Sequence, residues 1–241
     1  CLSWKQEVSL MMPSPESRFG REELLIGSAG LKRLASSHVA VFGIGGVGSF
    51  CAEALARAGV GELTLVDSDA VRLSNANRQL VALESTMGAP KVEVMARRAL
   101  DINPSLKVHA VQEWFDEANS ERMLSTDYDY VADAIDSVSS KLLLIASCIG
   151  KGIPVVSSMG AGNKLDATGF RIADISDTHT CPLAKVVRTG LRKRGIEKGL
   201  KVVFSVSKPV DRPAGPPGSI SYVPPVAGLL LAQAVIEGLL G

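Results

Sequence analysis

The 241-residue chain has no CxxC pair among its four cysteines, no excess of charge of either sign, and no motif built on its three histidines. Each absence closes off a class. Cys1, Cys51, Cys148 and Cys181 are spaced neither as a disulfide framework nor as a zinc site. Lys plus Arg is 26 against 25 for Asp plus Glu, and the resulting net charge of +1 singles out no strongly charged partner. No uninterrupted apolar run reaches the ~18 residues expected of a membrane helix. Cys1 to Pro15 lacks the basic region and apolar core of a secretory signal. These features predict a cytoplasmic enzyme with no membrane partner. Met11 and Met12 suggest a natural start there, and residues 1–17 are expected to be a disordered tail ahead of one domain over 18–241.

What is present begins with Val39-Ala40-Val41-Phe42-Gly43-Ile44-Gly45-Gly46-Val47-Gly48. The β-branched, apolar start reads as a buried parallel strand, and it runs into a glycine turn that opens a helix. Gly43, Gly45, Gly46 and Gly48 allow backbone N–H groups to approach a phosphate at the positive end of that helix. A second apolar run, Leu63-Thr64-Leu65-Val66, ends in Asp67, where a carboxylate can accept hydrogen bonds from ribose hydroxyls. Downstream stand Ser74-Asn75-Ala76-Asn77-Arg78-Gln79 and Gly88-Ala89-Pro90-Lys91. A dinucleotide has one pyrophosphate, which the glycine turn already serves, so Arg78 and Lys91 better suit a triphosphate. They argue against a nicotinamide-dependent oxidoreductase. Tyr130-Val131-Ala132-Asp133-Ala134-Ile135-Asp136 reads as a strand ending in two carboxylates, suited to Mg²⁺ on phosphate. Asp69 and Asp133 read equally well as caps of the turns that follow their strands.

The strand–helix rhythm predicts an α/β fold, a Rossmann-like doubly wound sheet whose parallel N-terminal part continues into antiparallel strands. Strands are expected at His38–Phe42, Leu63–Val66, Lys107–Val111, Tyr130–Ala134 and Pro154–Ser158. Helices are expected at Gly46–Ala58, Lys91–Asp101 and Ser139–Ile149. Gly59 should stop the first helix, and Asn103-Pro104 the second. Gly162–Ile175 reads as a hairpin turning at Asp166–Gly169, Pro213–Gly218 as a mobile loop, and Ser219–Val223 as a strand before a helix from Pro225 to about Leu240. The apolar run Val226–Ala232 in that last helix reads as core or dimer packing.

These pieces, in this order, resemble the adenylating ThiF/MoeB/HesA family, relatives of the ubiquitin-activating enzymes. The resemblance runs from Arg18-Phe19-Gly20-Arg21 through the glycine turn, Asp67-x-Asp69, Ser74-Asn75-x-x-Arg78-Gln79, Gly88-x-Pro90-Lys91 and Ala134-Ile135-Asp136-Ser137 to the C-terminus. It implies ATP and Mg²⁺, with Asp67 at the ribose, Asn75, Arg78, Gln79 and Lys91 at the phosphates, and Asp136 on the metal. It also implies a homodimer in which Arg21 reaches the partner's phosphates, so that Arg21, Arg78, Lys91 and Asp136 form the catalytic set. A monovalent cation, and a cysteine desulfurase with its sulfur acceptor, are further associations the resemblance leaves open.

Two absences discriminate within the family. The zinc-binding CxxC pairs of many sulfur-carrier activators are missing. Cys181 falls near where a thioester cysteine would stand, but its surroundings read as packing. A basic stretch follows instead: Lys185, Arg188, Arg192, Lys193, Arg194, Lys198 and Lys201 against the one acid Glu197. Lys185, Arg188 and Arg192 share one helical face. That face is either simply solvated or follows nucleic-acid phosphates. Together these features resemble the branch that dehydrates threonylcarbamoyladenosine in tRNA, with Lys185, Arg188, Arg192, Lys193 and Arg194 meeting the tRNA. The alternative is an adenylyltransferase for the C-terminus of a ubiquitin-like sulfur carrier.

Overall fold

Every residue from Val39 to Phe42 is buried, as a strand covered on both faces must be. In the computed structural model, which describes residues 17–211 and 215–241, this strand is β1 (His38–Phe42), near the middle of a seven-stranded sheet. The others are β2 (Glu62–Val66), β3 (Lys107–Val111), β4 (Tyr130–Asp133), β5 (Val155–Ser158), β6 (Phe170–Asp174) and β7 (Lys201–Ser205), in the order β3-β2-β1-β4-β5-β7-β6. β1 pairs in parallel with β2 (Val39 opposite Leu63) and with β4 (Val39 opposite Tyr130). All other pairings are parallel except the edge pair β6–β7, where Phe170 lies opposite Ser205. The expected passage from parallel to antiparallel therefore occurs only at the edge strand β6.

Side chains alternate along β1 between two cores. Val39 and Val41 meet the helices α2 (Gly48–Arg57), α3 (Lys91–Ile102) and α7 (Val223–Leu240). Ala40 and Phe42 face the opposite layer, with Leu144 and Cys148 of α5 (Val138–Lys151) and Phe115, whose ring meets Phe42 edge-on at 5.2 Å. Helix α1 (Gly20–Ser36) precedes β1, and the short α4 (Ser120–Met123) precedes β4. Helix α6 (Pro182–Arg192) packs Val187 and Leu191 onto a third cluster with Val202 and Phe204 of β7. α7 is long and apolar enough to cross a membrane by length and composition. It lies instead along the sheet, with Val223, Ala227, Leu231 and Val235 buried.

Several expectations need correction. The helix after the glycine turn, expected from Gly46, starts at Gly48, because Gly46 and Val47 complete the turn. The expected hairpin does not form: β6 pairs with β7, which lies much later in the chain. Gly162–Leu165 instead crosses the sheet end, where the Asn163 N–H donates to Gly218 O and the Val210 N–H to Asn163 O. Ser219–Val223 is not a strand: residues 219 and 220 are irregular, 221 and 222 form the turn into α7, and Val223 opens that helix. The expected tail over 1–17 lies outside the described residues apart from residue 17, as do residues 213 and 214 of the expected mobile loop; Pro216, Pro217 and Gly218 line a cleft.

Candidate active site

The strand order reverses between β1 and β4, and there a cleft of about 720 Å³ opens beyond the C-terminal ends of the strands. Two glycines are forced by geometry. Gly43 has φ +90°, and a Cβ there would lie 2.7 Å from Ala134 O. A Cβ on Gly48 would lie 1.7 Å from Gly43 O. The turn can thus close tightly and leave backbone N–H groups along the cleft floor.

Asp67 ties this turn to β2. Its Oδ2 accepts from the Ile44 N–H at 2.6 Å and its Oδ1 from the Asp69 N–H at 2.8 Å. Burial pushes the Asp67 carboxyl above the ordinary aspartate value, and the Lys91 ammonium opposes the rise. Lys91 is itself buried in the first turn of α3, its Nζ 2.8 Å from Asp69 Oδ2 and 3.9 Å from Asp67 Oδ1. A backbone bridge between Ala70 and Pro90 brings these distant segments together. Gly45, Gly46, Asp67, Asp69, Asn75, Arg78, Gln79, Lys91 and Asp136 all line the cleft. Gly43 lines it too, and Gly48 sits just behind at the start of α2.

The arrangement fits a nucleoside triphosphate on grounds internal to the structure. Gln79 Oε1 is buried with no hydrogen-bond partner among the described residues, while the amide nitrogen of the same side chain lies beside the space above Gly45. The orphaned acceptor calls for a donor, which a nucleoside hydroxyl or amino group or a water supplies, while the amide nitrogen facing the glycine turn is the atom able to donate to a phosphate. Asn75 Oδ1 accepts from the Arg72 N–H at 3.0 Å, fixing the turn that carries Arg78. Arg78 Nη1 donates to Ser74 O and Asn77 Oδ1, so the guanidinium is already oriented at the rim. Asp136 is exposed at the cleft.

Asp133 and Asp136 separate in role. Asp133 is fully buried, with Oδ2 accepting from Lys141 Nζ at 2.7 Å and from Ser157 Oγ at 2.6 Å. Lys141 Nζ also donates to Ser158 O at 3.0 Å, completing a closed network that joins β4, α5 and β5. Sequence reasoning missed Lys141; the signal was a lysine set inside an otherwise apolar helical run.

Three other groups lie apart. Arg21 is exposed on the first turn of α1 and does not line the cleft of its own chain. On α6 and just beyond, Lys185, Arg192, Lys193 and Arg194 are exposed. Arg188, on the same predicted face, is half-buried and turns back, donating from Nη1 to Thr178 O at 2.7 Å. Cys181 is buried and borders the cleft beside Gly160 and Leu183. Burial also pushes the thiol of Cys51 up, and that of Cys148 to about 12, which leaves both unreactive.

The sequence pattern of the ThiF family matches residues 19–241. A tRNA threonylcarbamoyladenosine dehydratase of Bacillus subtilis is 49% identical, the match covering 92% of this chain and 94% of the relative. Crystal structures of the Escherichia coli tRNA N6-threonylcarbamoyladenosine dehydratase, one with ATP and one with AMP, superpose with TM-scores of 0.87 and 0.88 at 38% identity. They cover 92% of this chain and 93% of theirs. The Escherichia coli molybdopterin-synthase adenylyltransferase is more distant, 36% identical over 68% of this chain and 66% of its own.

Proposed function

Because the chain belongs to the ThiF family, we propose that it is an ATP-dependent, adenylate-forming enzyme that dehydrates threonylcarbamoyladenosine, beside the tRNA anticodon, to its cyclic form. The observation that carries this reading is the near-full-length likeness to enzymes of that name, one of them solved with ATP. The cleft supplies the matching chemistry. A carboxylate is a poor electrophile until its oxygen is joined to the α-phosphate of ATP and pyrophosphate leaves. The glycine-turn N–H groups, Arg78 and Lys91 stabilise the charge that grows on the departing phosphates. Asp67 keeps lone pairs for ribose hydroxyls while its two oxygens hold the turn. Asp136, exposed at the cleft, is the carboxylate for Mg²⁺. The carbamoyl group of the same substrate then attacks the activated carbonyl, closing the ring and releasing AMP. Proximity within one substrate replaces a thioester cysteine.

Further parts of the reading concern partners. Lys185, Arg192, Lys193 and Arg194 form the surface for tRNA phosphates, with Arg188 held against Thr178 as its support. Arg21, exposed and outside its own cleft, completes the partner's site in a homodimer. A cytoplasmic location belongs to the same reading. A monovalent cation and a cysteine desulfurase with its sulfur acceptor belong to the same reading through family resemblance alone. Incubation with ATP, Mg²⁺ and modified tRNA, followed by mass analysis of nucleosides, tests the proposal. The expected product is lighter by one water and forms only with ATP. Adenylation of a Gly-Gly-tailed carrier protein with no change in tRNA mass would overturn it in favour of the sulfur-carrier alternative.

A further inference from the structure

The cleft divides by strand. The ends of β3, β2, β1 and β4 contribute Trp114, Asp67, the glycine turn and Asp136, and Arg78, Gln79 and Lys91 enter the same half. Beyond β5 and β7 the wall is formed by Met159, Gly160, Asn163, Lys164, Cys181 and Leu183. None of the nucleotide determinants lies there. Among the described residues lining this second half, Lys164 is the one charged side chain.

Lys164 is only 3% exposed. Its Nζ donates to the Ser207 carbonyl, and among the described residues no carboxylate forms an ion pair with it. Asp166, the nearest acid in sequence, is engaged by Ser207 Oγ and by Thr168. Burial accordingly holds the Lys164 ammonium below the ordinary lysine value, with Cys181 and Asp166 only partly opposing it. A buried cation without a counter-ion is costly, and an ammonium has three donors of which one is used here. An incoming carboxylate supplies both the missing charge and the missing acceptors. The same cleft carries the phosphate-binding groups Arg78, Gln79 and Lys91, so a carboxylate held at Lys164 would share one cavity with the nucleotide it must attack.

We infer that Lys164 is the receptor for the threonyl carboxylate of the substrate, the group that selects modified over unmodified tRNA. The inference rests on the proposed dehydratase function and assigns a substrate subsite within it. The alternatives are that Lys164 serves ATP phosphates, or that it takes the proton lost at ring closure.

The test compares wild type with Lys164→Met, Lys164→Gln and Lys164→Arg, each checked for folding by circular dichroism. Affinities are measured for ATP and for tRNA with and without the threonylcarbamoyl group, together with KM and kcat. In wild type, modified tRNA should bind better than unmodified. Either neutral variant should bind both alike, with KM for modified tRNA raised roughly ten- to a hundredfold, the effect expected of removing one charge-assisted hydrogen bond. ATP affinity should stay within about twofold, a negligible change on that scale. Lys164→Arg keeps the charge and should recover part of the discrimination. Retained discrimination in a folded neutral variant overturns the inference. So does a loss of ATP affinity, which assigns the lysine to phosphates, or a fall in kcat alone that arginine cannot rescue, which assigns it to proton transfer. If wild type itself never dehydrates modified tRNA, the proposed function fails, an outcome visible before any variant is made.

Discussion

Lys91 is where charge and burial meet most directly. It neutralises Asp69 at 2.8 Å, stands near Asp67, and has almost no exposure of its own. If it and Arg78 offset triphosphate charge, Lys91→Ala and Arg78→Ala should each weaken ATP binding by about 1.5–3 kcal/mol, measured by calorimetry on folded protein. Lys91→Ala has a second signature. Burial already raises the Asp67 pKa and Lys91 restrains it, so removing the lysine raises it further. Residual ATP affinity in this variant should therefore fall away at a higher pH than in wild type, as Asp67 gains a proton sooner. Equal ATP affinity in wild type and both variants would remove the case for a triphosphate. The Asp133–Lys141 pair works differently, because neither partner meets solvent or the cleft. Lys141→Met leaves a buried carboxylate without its cation and should cost about 3–5 kcal/mol in denaturant unfolding. A cost below about 1 kcal/mol, the scale of an exposed pair, would show that the network does not clamp β4 to β5.

Among the elements, α6 joins packing to recognition. Val187 and Leu191 bury one face against β7, which leaves Lys185 and Arg192 outward and the basic residues after the helix beside them. Replacing Lys185, Arg192, Lys193 and Arg194 should weaken tRNA binding and reduce the salt slope by about one for each phosphate no longer neutralised, with ATP binding intact. An unchanged salt slope would return this face to simple solvation. Elements of this kind differ in how readable they are. β1 and β2 were legible because continuous apolar, β-branched runs end in turn residues, and β3 matched its predicted bounds. β7 escaped because its Val202-Val203-Phe204 run is short and opens on Lys201 at the end of the basic stretch, whose charges dominate the reading of that segment. The false hairpin had a real turn at Asp166–Gly169, but the strand after it found its partner far down the chain, which local pattern does not encode. The same limit hid Lys164. It reads as one polar residue in a hairpin arm until the fold buries it beside Cys181, whereas Asp67, Arg78 and Lys91 stand in motifs whose spacing already states their chemistry.

At the scale of the whole molecule, the question is whether one chain holds a complete site. The cleft gathers Arg78, Lys91 and Asp136, while Arg21 stays exposed on α1 and contributes nothing to its own pocket. Exposed large apolar side chains lie close by, with Leu25 87% and Leu24 57% exposed on the same helix. A contact between copies there would cover apolar surface and carry Arg21 toward a neighbour's phosphates, as the proposed homodimer requires. The test exploits shared residues. Arg21→Ala and Asp136→Ala should each be inactive alone. Mixed after subunit exchange, they form hybrids in which one cleft has its own Asp136 and receives Arg21 from the other copy. Activity should return to roughly a quarter of wild type, because random exchange makes about half the dimers hybrid and each hybrid holds one intact site. Light scattering must report a dimer before mixing. A monomer, or no recovery when exchange has been demonstrated with tagged chains, would show that Arg21 serves no neighbouring site and that each cleft works with the residues of its own chain.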